Sequence, residues 1–184
     1  MALTTVRSTG IGSLPAISGS NLTSLNASNI SSGTLNSARF SGGKVVQFIR
    51  AVESTTTYHT NTSNTVMFSG TITPTNSNNY ILALLTITYE MYGNNSSSTG
   101  NANVRIIEGS SNVKADCEIK QSHSANDHVS RHIGGLSGYW QAGGTSELTI
   151  NVATKLVSGG GRIGIFGSDS NTNASALTLM EIEA

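Results

Sequence analysis

The segment Val113-Lys-Ala-Asp-Cys-Glu-Ile119 decides the fold class. Its odd positions, Val113, Ala115, Cys117 and Ile119, are apolar or small, while Lys114, Asp116, Glu118 and the following Lys120 are charged. Successive side chains of a strand point to opposite faces, so this alternation describes a strand with one dry face and one wet face. On that reading Cys117 lies on the apolar side, a small buried hydrophobe and not a nucleophile.

The same period recurs on both sides of this segment. Ile81, Ala83, Leu85, Ile87, Tyr89 and Met91 alternate against Thr86, Thr88 and Glu90, and Leu148, Ile150 and Val152 against Thr149 and Asn151. Further strands are expected over 45–52, 66–73, 104–108, 129–141, 162–167 and 177–183. Turn-forming stretches separate them: Thr73-Pro-Thr-Asn-Ser-Asn-Asn79, the Asn/Ser run 93–100, Gly109-Ser-Ser-Asn112, Gly143-Gly144 and Gly159-Gly-Gly161, the last read as a hairpin turn. Eight or nine short strands without a helical period predict an all-β fold, an antiparallel β-sandwich of jelly-roll type over residues 44–184. Open sheet edges need cover, which association of subunits would supply in part.

Composition supports this and removes several functions. Ser, Thr and Asn number 28, 22 and 18 among 184 residues, the mixture of strand and turn formers that a loop-rich β fold needs. Ten Lys+Arg balance ten Asp+Glu with no basic block, so no nucleic-acid partner is expected. A single cysteine excludes an intrachain disulfide and an all-cysteine zinc site. No basic-then-apolar leader and no apolar run of membrane-spanning length is visible. A soluble chain made in a cytosol, without membrane insertion, is expected.

Ahead of residue 44 the rules change. Leu25, Ile30, Leu35 and Phe40 stand five apart, with Thr23, Ser28, Gly33 and Ala38 two positions before each. One apolar residue in five buries little. At ~1.5–3 kcal/mol per fully buried side chain, four of them do not offset the ordering entropy of about twenty residues. The segment 21–43 therefore needs like chains or a host particle to order it; a Ser/Asn-rich disordered leader is the alternative. Residues 1–20, with Ile11, Leu14 and Ile17 among Gly and Pro, read as an arm that inserts into a partner surface. The Gly-x-Gly within it lacks the strand, third glycine and helix of a phosphate loop.

Little in the chain suggests catalysis. His123, Asp127, His128 and His132, with Arg131, fall within ten residues. Imidazoles and a carboxylate are transition-metal ligands, but the spacing matches no zinc motif, and a polar loop or subunit contact is the favoured reading. No cofactor is expected. Tyr139 and Trp140 offer aromatic faces for a sugar, weighed against burial in a core or interface, which is favoured. Sugar-cleaving chemistry needs paired carboxylates, which this chain supplies poorly.

Two stretches carry a family resemblance. Asn21-Leu-Thr-Ser-Leu-Asn-Ala-Ser-Asn-Ile-Ser-Ser-Gly-Thr-Leu-Asn-Ser-Ala-Arg-Phe40 resembles the "Leu-x-Ala-x-Asn-Leu-x-Ser-Gly-Thr" linker of bacteriophage tail-fibre and virion proteins, with Asn36-Ser37 where Pro-Asp or Pro-Ala is common. Gly43-Lys-Val-Val-Gln-Phe-Ile-Arg50, Ser69-Gly-Thr-Ile-Thr-Pro-Thr-Asn-Ser-Asn-Asn-Tyr-Ile-Leu82, Val104-Arg-Ile-Ile-Glu-Gly-Ser-Ser111 and Leu177-Thr-Leu-Met-Glu-Ile-Glu183 are similar to the C-terminal β-domains of such fibres, with Tyr80 in a usual lysine place.

The resemblance implies a non-enzymatic virion surface protein, usually a homotrimer. Residues 1–20 would be held by a tail adaptor or nozzle, 21–43 would form the shaft, and the knob 44–184 would meet a host receptor, with a glycan among the candidates. A capsid-surface fibre or decoration protein is the near alternative, and a lectin-like carbohydrate-binding module the more distant one. Loops 94–103 and 122–131 are the expected tip, since binding residues tend to sit on loops of a rigid sandwich.

Overall fold

A computed structural model describes residues 43–93, 99–122, 128–158, 161–167 and 175–184. The expected arm (Ile11, Leu14, Ile17) and shaft (Leu25, Ile30, Leu35, Phe40) lie outside these residues. Among the described residues there are ten strands and no helix, so none crosses a membrane as a helix. The strands are β1 Val45–Val52, β2 Thr57–His59, β3 Thr65–Ile72, β4 Tyr80–Gly93, β5 Thr99–Glu108, β6 Asn112–Ser122, β7 His128–Gln141, β8 Leu148–Ser158, β9 Gly161–Ile165 and β10 Ala176–Ile182.

Their pairing is nested. β5 pairs with β6, β4 with β7, β3 with β8, β2 with β9 and β1 with β10, all antiparallel, as in one long hairpin. Rolling that hairpin adds the contacts β10·β4, β4·β9 and β5·β8. A first sheet results in the order β1-β10-β4-β9-β2 with β7 on the other side of β4, and a second in the order β3-β8-β5-β6. Two four-strand layers, β1-β10-β4-β7 and β3-β8-β5-β6, are the double Greek key of a jelly roll, as the alternation predicts. The fourteen residues of β4 are long enough for β10 to pair with Tyr80–Thr86 and β9 with Tyr89–Gly93 along one side, while β7 runs the length of the other.

The inner faces make the core. Ile81, Ala83, Leu85 and Ile87 of β4 and Leu177 and Leu179 of β10 meet Ile72, Val104, Ile106, Ile150 and Val152 of the second sheet. Gly70 keeps the layers close: a methyl group there would lie 3.1 Å from the Ala51 Cβ and 3.4 Å from the Leu179 Cδ1.

Three local readings need correction. Cys117 is exposed, because β6 is an edge strand and its inner face opens there into a cleft beside β7. Gly159-Gly-Gly161 does not close a hairpin, since β8 belongs to the second sheet and β9 to the first. The expected tip loops are shorter than 94–103 and 122–131: residues from Thr99 belong to β5 and those from His128 to β7. Asparagine and glycine read as turn formers, yet Asn101 and Asn103 alternate with the buried Ala102. The three-residue β2 is too short to carry a period and escapes the sequence pattern altogether.

The sandwich has two ends. At the base lie Val45, Tyr80, Gln141 and Ile182, and here Gly43 and Lys44 bond Glu183 through the backbone. At the distal end lie Gly93, His128 and Gly161 in register.

Candidate functional site: a distal arginine–aromatic cluster

The outward positions of β4 are the even ones, and along most of the strand they are exposed or half-buried. Glu90 breaks that pattern. It points outward and its side chain is only 3 % exposed, because two arginines lie across it. Arg131, its register partner on β7, donates from Nε to Glu90 Oε2 at 2.9 Å. Arg162 of β9 places Nη2 3.5 Å from the other oxygen, Oε1. Glu90 is the one carboxylate among the described ion pairs that is shared by two cations.

Aromatic faces hold both guanidinium groups. Arg131 lies over Phe166 at 4.8 Å; Arg162 lies over Tyr58 at 4.5 Å and Tyr92 at 5.2 Å. Such stacking fixes the planar fork without using its donors. Tyr58 is seated by the absence of a side chain at Gly164, its register partner: a Cβ there would fall 2.3 Å from the ring. Its edge meets Phe166 at 6.2 Å and 82°. The cluster thus joins β2, β4, β7, β9 and the residue after β9.

Of the residues singled out in the sequence, His123 and Asp127 lie outside the described residues, as does the side chain of His128. His132 stacks on Tyr89 at 5.4 Å, on the opposite face of β7 from Arg131. The described residues contain no group of three or more His, Cys, Asp or Glu able to hold a metal. Arg131 lies in β7, within the strand expected over 129–141, and bonds Glu90 of its own chain.

Tyr139 and Trp140 cannot form one platform, since neighbours in a strand face opposite ways. Trp140 turns inward, donates to Glu108 Oε2 at 2.7 Å and carries Lys114 5.2 Å from its ring. Tyr139 turns outward, 58 % exposed, and stacks on Tyr80 at 4.8 Å and 7°. It belongs to an apolar outer face. In register across the first sheet stand Phe48, Met180, Leu82 and Tyr139, with Leu84, Ile133 and Val52 nearby. Phe48 and Ile133 are 59 % and 66 % exposed.

Two other places have the shape of sites. An apolar cleft of about 80 Å³ between the edges of β6 and β7 is lined by Ile87, Tyr89, Cys117, Ile119 and Leu136. Burial, and to a smaller degree the Cys117 sulfur, pushes the Tyr89 phenol above its ordinary value. At the base, Glu181 is fully buried. Its Oε1 accepts from Thr75 N and Oγ1 at 2.8 Å and from Asn79 Nδ2 at 2.7 Å, and its Oε2 from Gln47 Nε2 at 2.7 Å. Burial opposes its ionisation, but these four donors outweigh burial and hold the carboxyl below the usual glutamate range. They tie the Thr-Pro loop 73–79 to the last strand.

No known protein family profile matches this chain, and no curated protein matches it in sequence. Among solved structures, the C-terminal domain of EclA, a sugar-binding protein, is similar at a TM-score of 0.37 and 13% identity, over 72% of this chain and 76% of that one. An arabinose-bound α-L-arabinofuranosidase, MgGH51, is similar at 0.33 and 13%, over 79% of this chain and 24% of its own. The infectious bursal disease virus Gx strain structure is similar at 0.25 and 8%, over 74% and 40%.

Proposed function

We propose that this chain is a non-catalytic virion component: the knob of a short homotrimeric fibre, held to the particle through its N-terminal residues and meeting the host surface with the distal end. The observation that supports it is the contrast between the two outer faces of the sandwich. The second sheet turns out charged and mutually paired side chains, Arg105 bonding Asp116 at 2.6 and 2.9 Å and Asn103 bonding it at 2.7 Å. The first sheet turns out Phe48, Met180, Leu82, Leu84 and Tyr139 with no such cover. Monomeric proteins rarely expose contiguous apolar patches beyond a few hundred Å². A second and third copy covers this one, next to β1, where the pentad segment joins the knob.

Tail or capsid attachment gives the same knob, and cryo-EM localisation on the particle separates them. Light scattering is the direct test: a mass three times the 19.1 kDa chain is expected. Phe48→Glu combined with Tyr139→Glu is expected to lower that mass while leaving the β-rich circular dichroism unchanged. A wild-type chain that stays monomeric at micromolar concentration overturns the proposal.

A further inference from the structure

We propose that Arg131 and Arg162 form a subsite for the carboxylate of an acidic saccharide. This deepens the host-contact half of the reading above and rests on it only for where the saccharide comes from. The first argument is charge. Neutralising Glu90 needs one cation, and two are present, so the cluster carries a net positive charge on its solvent side. The arginine side chains are 60 % and 45 % exposed, while the carboxylate beneath them is 3 % exposed.

Donor supply is the second argument. A guanidinium has five N–H donors. Among the described residues Arg131 gives Glu90 one hydrogen bond, from Nε. Arg162 at 3.5 Å is beyond the ordinary 2.7–3.2 Å range and is held by charge and ring faces. Among the described residues Glu90 therefore engages only part of the donor set of the two guanidinium groups, whose side chains are largely exposed.

The third argument is preorganisation. Phe166, Tyr58, Tyr92 and Glu90 restrict both guanidinium groups before any ligand arrives, and both arginines stand on strands, so little rotamer entropy is lost on binding. A planar fork matches a carboxylate in geometry as well as charge. Tyr58 has one face on Gly164 and Arg162 against its ring, so the anion is read first and the sugar ring only at the edge.

The test is an NMR titration of the arginine Nε–H resonances of the full chain. The probes are oligogalacturonate, its methyl ester and inorganic phosphate, at low salt because exposed charges are screened. Oligogalacturonate is expected to shift the Arg131 and Arg162 signals saturably, and the methyl ester to leave them in place. Arg131→Gln and Arg162→Gln are each expected to weaken binding about tenfold or more, the loss of a charge-assisted hydrogen bond. Arg162→Lys, which keeps charge and fold but not the fork, is expected to lose most of the affinity too. Lys155→Gln, on the second sheet, is expected to change nothing. Equal binding by all variants, an equal response to the ester, or a response to phosphate without one to oligogalacturonate overturns the assignment. Light-scattering mass is read on every sample, so loss of the anion with an intact oligomer sinks the subsite alone.

Discussion

Two glutamates of one sheet are both buried, and they are buried in opposite ways. Glu181, at the base, meets four neutral donors from Thr75, Asn79 and Gln47, each short, and no cation. Its acceptor capacity is filled by groups whose own geometry closes the loop 73–79 over it. Glu90, at the distal end, meets two arginines whose side chains remain largely exposed. The first is a lock: everything in it is consumed internally. The second is an anchor, in which the acid orients two cations toward the outside. A buried carboxylate says little until its partners are examined for what they have left over.

The contrast can be broken from either side. Glu181→Leu strands the Thr75 N–H, Asn79 and Gln47 donors and is expected to cost the most, about 3 kcal/mol, read as a lower urea midpoint. Gly164→Ala comes next. Its new methyl collides with the Tyr58 ring, and about 1–2 kcal/mol of strain is expected together with loss of the Arg162 stack, visible as a shifted Arg162 Nε–H signal. Glu90→Gln is expected to cost about 1 kcal/mol, because its partners are already open to water and are rehydrated when it is lost. If Glu90→Gln proves as damaging as Glu181→Leu, the two ends are equivalent locks and the comparison fails.

Acid tests the lock at the base. The Glu181 carboxyl is held below its ordinary value near 4.5, so its contribution is complete above that pH and is lost as pH falls from there through the folded value. A second window lies higher. His59 accepts from Asn61 N at Nδ1, which leaves Nε2 to donate to the buried Thr154 hydroxyl. Burial lowers its pKa, so stability is full above 6.5 and declines as pH falls through the folded value. Denaturant midpoints measured from pH 8 to 3 are expected to fall slightly below 6.5 and more steeply below 4.5. His59→Gln is expected to remove the first decline and keep the second.

Much of this architecture can be read in the primary structure. The alternation from Val113 to Ile119 and from Ile81 to Met91 is local, because each side chain's face is set by its neighbour's, and it gives the strands and the sandwich. Apolar positions such as Ile150 and Val152 are placed in the core by the same rule. Where the rule goes wrong it does so at an edge: Cys117 is on the apolar side of β6, but β6 ends the sheet and leaves that side open. Tyr139 and Trp140 show the rule working against an expectation, since adjacency in a strand separates them.

The distal cluster had no such signal. Glu90 looks like any polar position of an alternating strand, Arg131 like part of a polar loop, and Tyr58 sits in a strand of three residues. What the linear order determines here is which face of each strand is dry and where the chain turns, because both depend on residues two to four apart. What only the rolled hairpin decides is which outward residues become neighbours. Arg131 and Arg162 reach Glu90 from opposite sides because β7 and β9 flank β4, a relation set by sheet closure and absent from any local period.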